Sequence, residues 1–203
     1  MLKDFLVNYV DWSQQSLLIA ALSICFNPLF WNIAARQEYR THLLTRLAGG
    51  NAKWGCYALA LTIFSLGILR DSLYHQALLD QPSHPEMDFV EVRVISGILF
   101  LVGNTLVLSS MWALGLTGTY LGDYFGILMD AKVTGFPFNV SNNPMYHGST
   151  LSFLATALWY ASPAGLVLTA LVHICYTFAL RFEEPFTTMI YSNRDAQKSR
   201  KAE

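Results

Sequence analysis

Between Lys132 and Arg181 the chain runs for 48 residues without a charged side chain, and no other feature constrains its fold as much. A helix crossing the hydrocarbon of a bilayer needs about 20 apolar residues at 1.5 Å each, so this run is too long for one crossing. The sequence ASPAG at 161–165 breaks its apolar part near the middle. Read as two helices, Tyr146–Tyr160 and Leu166–Leu180, it becomes a hairpin with arms of about 23 Å, short but sufficient with local thinning or a buried turn. The polar clusters that bracket it, NNPMYHG at 142–148 and RFEEP at 181–185, then emerge on one face. Read as a single span near 158–180, it puts them on opposite faces.

The rest of the chain agrees with a membrane setting. Charged residues make up 13%, where a soluble domain carries about 25%, and hydrophobic residues make up 53%. Three further uncharged stretches, 12–35, 54–69 and 94–122, are candidate membrane helices. The second continues as RDSLYHQALL, which carries its helix toward the headgroups. Asn27-Pro28 interrupts the first stretch, because Pro28 lacks a backbone donor and disfavours helix at Asn27; a kinked span and a re-entrant segment both satisfy the sequence. Charge decides between the hairpin and the single span. With the hairpin, and with 12–35 spanning, ten basic residues fall on one side and only Lys3, Arg70 and Arg93 on the other; with 12–35 re-entrant and a single span at the end, the division is six against seven. Basic residues gather on the cytoplasmic side, which favours the hairpin and puts both polar clusters at the cytosolic interface. The expected fold is all-α: a polytopic membrane bundle of four or five embedded helices with a C-terminal hairpin, in a single domain over 1–203.

Several functional classes are disfavoured at this stage. The net charge of −1 gives no basic surface for nucleic acid. Cys25, Cys56 and Cys175 lie in apolar stretches, far apart in sequence, so no disulfide framework or metal site is expected. No basic run precedes an apolar core at the N-terminus, so no cleaved signal peptide is expected. Soluble-type nucleotide motifs are missing from the sequence.

The residues that could carry chemistry gather near the polar clusters. Glu183 and Glu184 follow a long apolar run, and acidic side chains at a bilayer are functional candidates. Adjacent glutamates point to different helix faces, so one can turn inward while the other meets Arg181 or water. Such a pair suits a cationic ligand or the hydroxyls of a ribose. Pro185 is expected to end or kink that helix. Gly115, Gly118, Gly122 and Gly126 recur at helical spacing, a stripe that suits either close helix packing or a backbone approached by a flat ligand. Asp123 lies beside the stripe, flanked by Tyr120, Tyr124 and Phe125. His147 is a candidate base, because imidazole is the side chain whose charge ordinarily changes near neutrality. Phe136, Phe138 and Tyr146 could form an aromatic cage for a cation.

Three segments carry a specific resemblance: FNPLFWNIAAR, LGDYFGILMDAKVTGFPFNVSNNPMYHGST and RFEEPFTTMIY. Together they closely resemble the vertebrate phosphatidylethanolamine N-methyltransferases, over essentially the whole chain and most strongly over 104–192. The NPMY-x-G and EE elements also resemble the wider superfamily that includes isoprenylcysteine carboxyl methyltransferases. The resemblance implies an integral endoplasmic-reticulum enzyme, present also at mitochondria-associated membranes. It implies three successive methyl transfers from S-adenosylmethionine to phosphatidylethanolamine and its mono- and dimethyl derivatives. The family's cofactor residues carry over to Glu183 and Glu184 and to Leu101, Val102 and Gly103, where leucine replaces the first glycine of the family's G-x-G. In this reading Asn143, Tyr146, Gly148 and Tyr124 shape the substrate cavity. Glu184, Asp123, His147 and Tyr146 are the candidate catalytic groups, and the sequence does not rank the bases among them. The terminal RKAE resembles a dibasic retrieval signal read from the cytosol, in agreement with a cytosolic C-terminus. Two rival classes remain at this stage: a sibling methyltransferase acting on a prenylcysteine carboxylate, and a non-enzymatic lipid-binding membrane protein.

Overall fold

The computed structural model describes residues 9–202, which leaves Lys3 and Glu203, the end of the retrieval-like tetrapeptide, outside the described residues. Its helices are α1 (Gln15–Thr41), α2 (Leu43–Leu47), α3 (Ala52–Leu79), α4 (Val90–Thr119), α5 (Pro144–Trp159) and α6 (Pro163–Ala202), with short 3₁₀ turns at Pro85–Met87 and Gly122–Phe125. No strand occurs among the described residues. Four helices, α1, α3, α4 and α6, are long and apolar enough to cross a membrane. Their outer faces carry large apolar side chains such as Leu22, Phe64, Leu101 and Trp112, the last 91% exposed. An exterior of this kind needs lipid around it.

The first uncharged stretch is one continuous helix, with Pro28 inside it. Of the two readings that Asn27-Pro28 left open, a kinked span and a re-entrant segment, this helix has the length and hydropathy of a span. Asn27, mostly buried, turns its side-chain amide to the carbonyl of Leu66 on α3 at 3.1 Å. The helix stops at His42, which adopts the left-handed region (φ 52°). Buried Glu38 then caps the start of α2, accepting the Leu44 backbone N–H at 2.6 Å and the Thr45 hydroxyl. Asn51 begins α3 by accepting the backbone N–H groups of Lys53 and Trp54, which satisfies two of the orphan donors at a helix start.

The hairpin forms as the ASPAG break requires. Ala161 has φ 48°, the Ser162 hydroxyl accepts the Gly165 N–H at 3.1 Å, and Pro163 opens α6 where its missing N–H costs nothing. Three connections meet at this end of the molecule. The Asp11 backbone and the Gln81 side chain exchange two hydrogen bonds of 2.8 Å, and the His84 N–H donates to the Ala161 carbonyl. The opposite end carries the two polar clusters.

Two sequence expectations change. The glycine stripe does not lie on one helix: Gly115 has φ 64° and ψ −178°, which kinks α4, and the regular helix ends at Thr119. Beyond it Leu121 is left-handed and Gly122 opens a 3₁₀ turn, where a Cβ would come within 2.6 Å of the Thr117 carbonyl oxygen. Helical spacing alone did not distinguish glycines needed for positive φ or a tight turn from glycines on one face. Of the two outcomes expected of Pro185, an end or a kink, the end does not occur: α6 continues to Ala202. Proline there removes one hydrogen bond, to the Arg181 carbonyl, from a helix held on both sides by other contacts.

Candidate active site

A cleft of about 1170 Å³ opens between α1, α3, α4, α5 and α6, and the bracketing clusters meet at its mouth. The Tyr146 hydroxyl donates to Glu183 Oε2 at 2.5 Å, and Asn143 Nδ2 donates to Glu184 Oε1 at 2.8 Å. Proline at the first position of α5 leaves Asn143 just outside the helix and Tyr146 in its first turn. The two glutamates separate as neighbours on a helix must. Glu183 lines the cleft, while Glu184 is exposed at the rim.

Glu183 is the most heavily braced group of the site. Trp31 Nε1 and Asn32 Nδ2 of α1 donate to its Oε1 at 2.6 and 2.8 Å, opposite the Tyr146 hydroxyl on Oε2. All three neighbours donate, which is the pattern an ionised carboxylate satisfies; a protonated acid would need an acceptor for its own O–H. Asp123, carried by the turn after α4, lines the same cleft and accepts the Thr187 hydroxyl of α6 at 2.9 Å. Aromatic side chains complete the wall. The Tyr146 and Tyr176 rings meet edge-on with centroids 5.0 Å apart, and Trp31 lies 6.4 Å from Tyr176. Phe138 also lines the cleft, whereas Phe136 is exposed.

Asp123, Asn143, Tyr146 and Glu183 are thus brought together, and other candidates are not. His147 is exposed and hydrogen-bonded through Nδ1 to Ser141 at 2.7 Å, facing a separate shallow hollow. Tyr124 is buried behind the cleft, its ring stacked on Phe186 at 5.0 Å, and its hydroxyl beside Thr187 forms no hydrogen bond among the described residues. Leu101 and Val102 point outward at 69% and 45% exposure. Gly103 and Gly148 face each other where α4 crosses α5: a Cβ on either would lie 2.5–2.6 Å from the carbonyl oxygen of the other. Neither borders the cleft. Their position explains a glycine at 103 by helix contact, whichever residue stands at 101.

Sequence reasoning missed Trp31, Asn32, Thr187 and Arg70. Trp31 and Asn32 lie in the FNPLFWNIAAR segment that carried part of the resemblance, but nothing local marks them as partners of a glutamate 152 and 151 residues away. Arg70, expected on the basic-poor side, sits in the cleft wall with its side chain 11% exposed.

An amphipathic cleft with carboxylates, basic side chains and aromatic rings in its wall, set among helices long and apolar enough to cross a membrane, defines a membrane protein with an embedded site. Comparison with known proteins gives the family. Residues 92–194 match the model for phospholipid methyltransferases. A phosphatidyl-N-methylethanolamine N-methyltransferase of Emericella nidulans is 60% identical over 96% of this chain and 95% of its own. The Neurospora crassa protein of that name is 58% identical over 97% of this chain and 92% of its own. The human phosphatidylethanolamine N-methyltransferase is 48% identical over 93% and 94%. No solved structure matches the chain. The chain belongs to the phospholipid methyltransferase family. It is an enzyme of that family, whose chemistry draws on a methyl donor.

Proposed function

We propose that this protein converts phosphatidylethanolamine to phosphatidylcholine by three successive N-methylations, with S-adenosylmethionine as donor, at the cytosolic face of the endoplasmic reticulum membrane. The observation that carries the proposal is the Glu183 carboxylate, braced by donors from α1 and α5 and facing an amphipathic cleft. The cleft's donor set fits the cofactor. Asp123 and Glu183 offer acceptors for ribose hydroxyls or a cationic centre, and Lys132 and Arg194 line the wall and suit a carboxylate. Glu184 and Asn143 close the rim beside it. When bound, the donor supplies an electrophilic methyl group on a sulfonium and departs as a thioether.

The chain's residues supply the rest. A phospholipid ammonium has no lone pair, so one proton must leave before each transfer. Glu183 has its lone pairs largely committed to Trp31, Asn32 and Tyr146, and so acts as a fixed negative pole that orients the amine. Asp123 has one side-chain donor, Thr187, and is the freer carboxylate; it accepts the proton and returns it to water at the mouth. The faces of Tyr146, Tyr176 and Trp31 hold the head group as methyl groups replace N–H donors, because a cation–π contact does not require those donors. The site thereby serves all three methylation states.

The test uses purified protein in phosphatidylethanolamine bilayers with methyl-labelled S-adenosylmethionine. Label should pass in turn through mono-, di- and trimethylated lipid, and lipid left unlabelled by folded protein would overturn the proposal. A second reading, entry at the monomethyl stage, is favoured by the names of the fungal relatives at 58–60% identity. Rapid labelling of supplied monomethyl lipid, with none of phosphatidylethanolamine, would select it.

A further inference from the structure

We infer that Arg70 forms the subsite for the phosphodiester of the lipid head group, an inference that rests on the lipid-methylating reading above. Arg70 lies on α3 in a candidate membrane span, where a guanidinium is costly and marks a substrate path. It lines the same cleft as Glu183. Three of its five N–H groups are used: Nε and Nη2 donate to Asp71 Oδ1 at 3.0 and 2.8 Å, and Nη1 donates to the Tyr176 hydroxyl at 2.6 Å. The guanidinium also rests on the Phe153 ring, 4.8 Å from its centroid. Two N–H groups, one on each terminal nitrogen, remain without a partner among the described residues. A planar fork held from three sides with donors to spare is the geometry that takes the oxygens of a phosphate.

Position selects the ligand. The Tyr176 hydroxyl that holds Arg70 also meets Ser149 Oγ of α5 at 3.1 Å. Tyr146, which holds Glu183, lies three residues earlier on α5, about 4.5 Å along the axis. The cleft therefore has a guanidinium, ion-paired with Asp71 on one edge, at the level of Ser149 and a carboxylate about one helical turn nearer its mouth. An ethanolamine phospholipid has the same charge order, with phosphate and nitrogen joined by an ethylene bridge. Arg70 is the inner group, so the phosphate would face the acyl chains and the amine the mouth. The carboxylate of the methyl donor is the competing anion, but Lys132 and Arg194 already line the cleft for that group.

The experiment uses the full chain in detergent micelles, with Arg70→Met and Arg70→Lys variants. Binding is measured by calorimetry for short-chain phosphatidylethanolamine, for an alkyl ether of ethanolamine that lacks phosphate, and for S-adenosylhomocysteine. Arg70→Met should weaken phospholipid binding by about tenfold or more, the scale of charge-assisted hydrogen bonds, and leave the other two probes unchanged. Loss of S-adenosylhomocysteine binding instead would assign Arg70 to the cofactor carboxylate. Equal weakening of phospholipid and ether would reduce it to a structural part of the wall, and unchanged binding of all three would remove it from the site; each of these overturns the inference. If Arg70→Met does not fold, Arg70→Lys, which keeps the charge but loses the fork, decides on the same comparison. Methyl transfer is assayed separately. Arg70-dependent phospholipid binding without methyl transfer would sink the proposed function and leave the subsite standing.

Discussion

Glu183 and Glu184 are adjacent in sequence and unequal in structure. One is held by Trp31, Asn32 and Tyr146 inside the cleft, and the other accepts a hydrogen bond from Asn143 at the rim. Glu183→Gln replaces a carboxylate oxygen by an amide donor against groups that all donate, so kcat/KM should fall by about 10²-fold or more, from charge-assisted bonds lost. Glu184→Gln keeps an acceptor for Asn143 and should cost about tenfold at most on the same scale. Steady-state kinetics of the two variants checks the order, and an equal loss would put both glutamates in the site. Asp123→Asn has a sign in pH. The proposed base matters while the amine is protonated, so the deficit should be largest near neutrality and shrink toward the amine's own pKa, about 10 for an alkylamine. A deficit independent of pH would remove Asp123 as the base. The sequence already showed that the two glutamates must diverge on a helix. Which of them turns inward depends on α1, whose contribution no local pattern announces.

At the scale of elements, the crossing of α4 and α5 at Gly103 and Gly148 sets how closely Asn104 of α4 approaches Ser152 of α5, 3.4 Å apart in the cleft wall. Gly148→Ala forces a methyl group against the Gly103 carbonyl and should destabilise the bundle by about 1–3 kcal/mol. That should appear as a lower melting temperature with cofactor affinity kept in the protein that remains folded. Loss of cofactor affinity at unchanged stability would return this glycine pair to the binding site. The hairpin was legible because length and charge leave few alternatives: 48 uncharged residues with a break at ASPAG fold back, and α5 and α6 begin at Pro144 and Pro163. The glycines were less legible. Close approach at 103 and 148, positive φ at 115 and a tight turn at 122 all read as the same letter.

The whole molecule is thinner on one flank than on the others. α5 has 16 residues, about 24 Å, against a hydrocarbon core of about 30 Å, while α1, α3 and α4 have 27 to 30. The protein itself covers the turn at Ala161 and Ser162, and the bilayer must thin beside the short arm of α5. Methyl transfer should therefore be several-fold faster in vesicles of short-chain lipids than in those of long-chain lipids, at equal protein and matched head groups; a rate indifferent to thickness would show that the flank is sealed by protein alone. The charge count anticipated which helix ends share a side, and placing Arg70 in the cleft leaves the basic-poor side poorer still. What composition did not disclose was how late the site is completed. Trp31 and Asn32 leave the ribosome about 150 residues before the glutamate they bind. A nascent chain can therefore insert α1, α3 and α4 into the membrane without yet presenting the braced carboxylate, so catalytic competence begins only after α6 has been synthesised.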